Sequence, residues 1–334
     1  MKLKDFYYDL PQALIAQHPA RRRDDARLMV IDRARQKITH DIFRNIGTYL
    51  PANSLIVLNN SKVVPARLLG KRQKTGGQVE IFLLKKLDGS RYEALLKPLK
   101  KIKVEEPLEF PSGVIGYLED KENRIVRFNK RDLEKYLARI GHIPLPPYIN
   151  RDDTARDRKE YQTVYAKYAG SVASPTAGLH FTNSLLAGLK KSGHGVVPLT
   201  LHINYGTFKP VECEDIISHP MHSEDYSISA SGFARVRKAR EEGRKVVAVG
   251  TTSCRVLESV SQNKKLSGST NIFIYPGFSF TMTDCLITNF HLPASTLLML
   301  VYAFGGMELM KKAYKEAIRQ KYRFYSYGDA MIMI

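Results

Sequence analysis

From residue 65 to residue 128 the chain is cut into short apolar stretches by turn-forming clusters, and this rhythm restricts its fold more than any other feature. The stretches are Pro65–Leu69, Gln78–Leu84, Tyr92–Leu96, Val114–Leu118 and Arg124–Phe128, and Gly76-Gly77, Asp88-Gly89-Ser90 and Pro111-Ser112-Gly113 lie between them. Glycine reaches left-handed backbone angles freely, and Asp and Ser side chains bond their own backbone, so each cluster reverses the chain. Strands recurring at roughly 8–12-residue spacing predict a small antiparallel barrel. Asp132 to Ile140 then reads as one helix, stopped by Gly141 and the stiff Pro144, Pro146 and Pro147.

The remainder reads differently. Leu55–Leu58 is a short buried strand ended by Asn59-Asn60, and beyond residue 151 strands alternate with helices. Val246–Val249 runs into Gly250, then Thr251-Thr252-Ser253, then Cys254–Val260 at helical spacing. Hydroxyl side chains at that junction suit an N-cap. Ile272–Tyr275 reads as a strand broken by Pro276-Gly277. Ser295 or Thr296 can cap a helix through Phe304, and Met307–Gln320 reads as a second helix. Strand followed by helix, repeated, predicts a mainly parallel sheet. The expected fold is therefore α/β: a discontinuous α/β domain over 1–64 and 151–334, interrupted by a small inserted antiparallel β-barrel domain over 65–150.

Charge points to a partner. The 334 residues carry 52 Lys+Arg against 33 Asp+Glu, a net charge of +19. Excess charge costs self-repulsion, and nucleic acid is the commonest polyanion that offsets it through counterion release. Residues 65–105 alone hold eleven basic and four acidic side chains. Arg67, Lys71, Arg72, Lys74, Lys100, Lys101 and Lys103 are the candidate nucleic-acid-backbone contacts on the barrel, although charge patterning also marks plainly solvated faces. Cys213, Cys254 and Cys285 are widely spaced and odd in number, against a disulfide framework or a thiol zinc site. A reducing cytoplasm is the simplest home. Met1 to Leu10 carries Asp5 and Asp9 without a long apolar stretch, so no signal peptide is expected. The longest apolar run, Leu297 to Phe304, is far short of the ~20 residues that span a bilayer. Nothing demands an oligomer, and a monomer is expected.

Six of the nine histidines fall between residues 180 and 291. His180, His222 and His291 sit in turns flanked by Gly or Pro, as does Glu224 beside His222. Rigid turns at strand ends are where α/β sheets place reactive groups, and His and Glu move protons near neutral pH. Each also has a plain structural reading as a hydrogen-bonded or core residue. The order H-x-x-H-x-E over His219, His222 and Glu224 matches no established zinc spacing, so no metal is expected. Gly250-Thr251-Thr252-Ser253 offers backbone N–H groups at a helix start, which is either an anion site or an ordinary βα turn. Dinucleotide, P-loop and serine-hydrolase motifs are absent.

A series of motifs then runs end to end. It includes Tyr8-Asp9-Leu10-Pro11, Asn59 through Leu68, Gly141 through Ile149 and Pro175 through Thr182. Further along come Gly206-Thr207-Phe208 with Pro210-Val211, Met221-His222-Ser223-Glu224, Gly250-Thr251-Thr252 with Arg255, Tyr275-Pro276-Gly277, Thr288 through Pro293 and Tyr327 through Met331. In this order the chain resembles the S-adenosylmethionine:tRNA ribosyltransferase-isomerases of queuosine biosynthesis over its whole length. Asn204 and Ala294 depart from the family pattern, at a glycine and a lysine respectively.

The resemblance implies that S-adenosylmethionine donates ribose rather than methyl. The ribosyl group passes to the 7-aminomethyl group of preQ1 at the wobble position of tRNA, leaving epoxyqueuosine and releasing adenine and methionine. S-adenosylmethionine is then a co-substrate, and no cofactor is implied. The donor is expected on Thr176, Gly178, Gly250, Thr251, Thr252, Arg255, Tyr275 and Gly277. Proton transfers are expected of His180, His222, Glu224 and His291, with Asp329 as a further candidate. The competing readings are a non-catalytic RNA-binding protein using a basic β-barrel, and an ordinary methyltransferase.

Overall fold

The computed structural model describes residues 1–204, 206, 211 and 213–334. Tyr205, Thr207, Phe208 and Pro210 of the sequence motifs lie outside the described residues. The chain divides into two units. The first comprises Met1–Lys62, Pro147–Arg151 and Glu160–Ile334; the second comprises Val63–Pro146 and Asp152–Lys159.

The first unit is built on a nine-stranded sheet. Its order is Ser267–Thr270, Glu224–Ser227, Gly195–Leu201, Leu55–Asn59, Val246–Val249, Cys285–Asn289, Ala330–Met333, Arg27–Asp32 and Lys37–Ile42. Leu55–Asn59 lies inside the sheet, parallel to both neighbours, and every one of its residues is buried. Side chains alternate across a strand, so Leu55 and Val57 enter one core while Ile56 and Leu58 enter another. Val246 and Ala248 likewise oppose Val247 and Val249. A sheet covered on both faces needs apolar residues at consecutive positions, which is why these strands read as unbroken runs. One layer includes the helices Gly250–Asn263, Thr296–Gly305 and Met307–Arg319; the other includes Asn183–Lys191 and the turn Phe43–Thr48.

Three expectations are corrected. The sheet is mixed rather than mainly parallel, because Cys285–Asn289 with Ala330–Met333, and both outer flanks, pair antiparallel. Ile272–Tyr275 is not a strand. The Ile272 carbonyl accepts from Arg255 Nε at 3.4 Å and its N–H donates to Thr270 Oγ1 at 3.2 Å, so local side chains replace a ladder there. The helix after Val246–Val249 begins at Gly250 itself with no side-chain cap; Ser253 instead donates back to the Val249 carbonyl at 2.8 Å.

The second unit pairs its strands antiparallel in the order Gly141–His142, Arg67–Arg72, Gln78–Lys86, Arg91–Lys97, Ile125–Phe128, Val114–Asp120 and Pro107–Phe110. Pro107–Phe110, which the sequence did not single out, pairs back on Arg67–Arg72 through Lys71 with Glu109 and Arg72 with Leu108. That return contact requires Gly70: a Cβ there would lie 2.4 Å from the Glu109 carbonyl oxygen. Among the described residues no helix is long and apolar enough to cross a membrane.

Candidate active site

Open α/β sheets bind ligands beyond the carboxyl ends of their parallel strands. Here those ends are Asn59, Leu201, Val249 and Asn289, and the first unit has a cavity of about 90 Å³ lined by residues that follow three of them. That is several times the ~10–15 Å³ that admits one water. The sequence builds its wall in three pieces. Gly250 takes φ +86° and turns the strand Val246–Val249 directly into its helix, which brings Thr251 and Thr252 to the lining. The chain after Cys285–Asn289 brings Phe290 and His291. Ser174–Ala177, leading into the turn Thr176–His180, brings the third.

The lining is poised for a polar ligand. Ser174 Oγ, Thr252 Oγ1 and Arg255 Nη2 are buried without a hydrogen-bond partner among the described residues. Burying such atoms unsatisfied costs ~1–3 kcal/mol each, a cost that a bound polar molecule removes. The helix Gly250–Asn263 adds orphan N–H groups and the positive end of its dipole. Glu224 and Arg255 form a fully buried ion pair, and Glu224 Oε1 also accepts the Asn204 N–H at 3.0 Å.

His291 is held firmly. Its Nε2 meets Thr288 Oγ1 at 2.8 Å, its N–H donates to Tyr314 Oη at 3.1 Å, and its carbonyl accepts from the Tyr8 hydroxyl. Burial pushes the imidazole pKa down to about 3, so the ring is neutral at pH 7.

The structure separates the other expected proton-transfer residues. His222 is exposed and lines a smaller recess that shares Glu224 and Arg255 with the main cavity. His180 and Asp329 line neither. His180 packs on Phe43 with ring centres 5.0 Å apart. The Asp329 carboxylate accepts N–H groups from Arg27 at 3.0 Å and Arg323 at 2.8 Å, and pairs with the Arg323 guanidinium at 3.3 Å. Its place is to tie strand ends together. Of the expected donor contacts, Thr176, Gly250, Thr251, Thr252 and Arg255 line the cavity, whereas Gly178, Tyr275 and Gly277 do not. Gly178 is small for packing, since a Cβ would sit 2.0 Å from the Tyr165 hydroxyl. Tyr275 packs on Phe273.

Sequence reasoning missed Tyr148, Tyr325 and Ser326. The two rings lie 4.5 Å apart and Tyr148 Oη meets Ser326 Oγ at 2.7 Å, giving the cavity an aromatic wall. Tyr148 follows Pro146-Pro147 and Tyr325 precedes Gly328, the same rigid-turn signal that drew notice to the histidines.

In the second unit, Arg67 pairs with Glu80 and Asp152, Lys71 with Glu109, and Arg72 makes a bidentate contact with Glu106 at 2.8 and 3.1 Å. Lys74, Lys100, Lys101 and Lys103 stand exposed and outside any ion pair among the described residues.

His180 gives a pH prediction. Burial lowers its pKa from 6.5 to about 4, with Asp329 opposing the shift only in part. Between those values the unfolded chain binds the extra proton, so this contribution is complete above pH 6.5 and is lost as pH falls toward 4. Denaturant titrations from pH 7 to about 5 should show a shallower loss of stability in His180→Gln than in the parent. Equal slopes would mean that the ring is not buried neutral.

The chain is similar to known proteins over its whole length. A family model described as "Queuosine biosynthesis protein" matches residues 3–333. Proteins named S-adenosylmethionine:tRNA ribosyltransferase-isomerase are similar over their full length: one from Sulfurihydrogenibium sp. is 47% identical over 336 residues, and one from Clostridioides difficile is 48% identical over 344, each covering 100% of both chains. The crystal structure of S-adenosylmethionine tRNA ribosyltransferase from Thermotoga maritima is 35% identical, with a TM-score of 0.58, over 99% of this chain and 100% of that one.

Proposed function

The chain belongs to the queuosine biosynthesis protein family and is an S-adenosylmethionine:tRNA ribosyltransferase-isomerase, and we propose that the cavity at the strand ends holds its donor. In this reaction the ribosyl group of S-adenosylmethionine passes to the 7-aminomethyl group of preQ1 at the tRNA wobble position, and adenine and methionine leave. The observation that carries the donor assignment is the uncapped helix start at Gly250–Thr252 beside buried, unpartnered Ser174, Thr252 and Arg255 atoms.

The donor's carboxylate suits the N–H groups and threonine hydroxyls at that helix start. Arg255 keeps Nη2 for the ligand while Glu224 neutralises its charge. Tyr148 and Tyr325 offer a π surface suited to adenine or to the sulfonium. The sulfonium acidifies C5′ of the donor, so a nearby base can remove that proton and form an ylide. His291 fits the role in the tautomer whose Nε2–H donates to Thr288 Oγ1, because Nδ1 then carries the free lone pair of a neutral imidazole.

We read the second unit, whose strand pairing closes on itself through Lys71–Glu109, as the inserted barrel expected over 65–150. Its unpaired lysines are the RNA contacts in this reading, since the guanidinium of Arg72 is already committed to Glu106. Changing Lys74, Lys100, Lys101 and Lys103 together to Gln should reduce the salt slope of tRNA binding by about three units, at ~0.7–0.9 per phosphate contact. An unchanged slope would move the RNA platform elsewhere.

The deciding experiment incubates the protein with S-adenosylmethionine and preQ1-containing tRNA. Adenine release is the expected product. S-adenosylhomocysteine would mean methyl transfer, and tight RNA binding without either product would mean a binding protein.

A further inference from the structure

The Glu224–Arg255 pair has a second side. There a smaller recess is lined by His219, Met221, His222 and Thr296, and Glu224, Arg255 and Leu297 belong to both spaces. Its volume is about 20 Å³, room for roughly one water-sized group and too little for a nucleobase.

Two imidazoles face this recess. A Cβ on Gly206 would lie 2.4 Å from His222 Cδ2, so only glycine lets that ring sit where it does. The half-buried His219 ring packs edge-on against Phe273, with centres 5.8 Å apart. Burial and the neighbouring His222 lower the His219 pKa, which keeps that ring uncharged at neutral pH. The other ionisable groups at the recess, Glu224 and Arg255, are paired with each other. Asp215, on the turn before His219, is largely exposed and faces the Met1 amino group at 3.8 Å. The recess therefore sets two imidazole rings beside a closed ion pair.

The reaction needs such a place. A primary alkylamine has a pKa near that of lysine, about 10, so the acceptor's aminomethyl group arrives as an ammonium without a lone pair. It must lose a proton beside the donor carbon before nitrogen can bond to it. We propose that the recess receives the aminomethyl arm of the acceptor base and that His219 and His222 take its proton. This rests on the donor occupying the larger cavity. One N–H proton moves to an imidazole nitrogen and the ammonium becomes the neutral amine. The proton then leaves to solvent, which exposed His222 reaches.

The test compares the parent with His219→Gln, His222→Gln and the double variant. Donor binding is measured by calorimetry, and adenine release with preQ1-containing tRNA is followed from neutrality to about pH 10. Donor affinity should stay within about twofold, while turnover of the double variant falls by ~10²–10⁴-fold at neutral pH. That loss should recover about tenfold per pH unit as the amine deprotonates in solution. Turnover within about threefold of the parent, or a loss that no rise in pH repairs, overturns the proposal. Loss of donor binding overturns it too, by making the recess part of the donor's own site. Absence of adenine release from the parent protein would overturn the functional reading and this proposal with it.

Discussion

Replacing His291 by asparagine should lower turnover by ~10²–10⁴-fold at neutral pH while the protein keeps most of its stability. Among the described residues the ring makes its side-chain hydrogen bond to Thr288 Oγ1, whereas the local backbone is held by Tyr314 and Tyr8 through main-chain atoms that asparagine also possesses. Removing the proposed base should therefore affect the chemical step far more than the fold. Single-turnover adenine release, measured beside thermal unfolding, separates the two. A loss below about tenfold would remove His291 from proton transfer, and a collapse of stability would return it to the core.

The largest stability effect is expected at Arg255→Met. The Glu224 carboxylate is 3% exposed and its guanidinium partner 5%, so the substitution leaves a carboxylate in the interior without the cation that faces it. Stranding one member of a buried pair costs ~3–5 kcal/mol. Replacing both members should recover most of that, because well-packed apolar residues pay no desolvation penalty. Denaturant unfolding of Arg255→Met, Glu224→Leu and the double variant forms a thermodynamic cycle. If the double variant is as unstable as the sum of the singles, the two side chains are not energetically coupled, and the pair would not serve as a fixed wall between the two spaces.

How far the sequence reveals this architecture depends on whether local chemistry or distant neighbours decide the outcome. Val246–Val249 followed by Gly250 was legible because a strand buried on both faces must be apolar throughout, and a turn at φ +86° favours glycine. Ser295 as a helix cap and Asp132–Gly141 as helix limits were legible for similarly local reasons. Ile272–Tyr275 misled because its apolar residues answer to packing, while its backbone answers to Arg255 and Thr270. Asp329 has the same composition and setting as a catalytic acid. Only the positions of Arg27 and Arg323, which no spacing rule supplies, show that its oxygens are already occupied. Thr251 and Thr252 stood out as a cap for the helix they open, yet the cap is missing and one hydroxyl is left unpartnered beside the cavity.

The position of Leu55–Asn59 bears on how the protein is made. This strand is ordered by nothing close to it in sequence: its neighbours begin at Gly195 and Val246, roughly 140 and 190 residues later. At about 5–20 residues per second, a ribosome needs ~10–40 s to deliver the second neighbour after the strand itself. For that interval a strand apolar from Leu55 to Leu58 has both edges open, a state prone to pairing with other chains. Val63–Pro146, whose strands pair among themselves, can close during the same interval. Slowing elongation between residues 146 and 246 should therefore raise the demand for chaperones that shield nascent chains, whereas slowing it after Val249 should not.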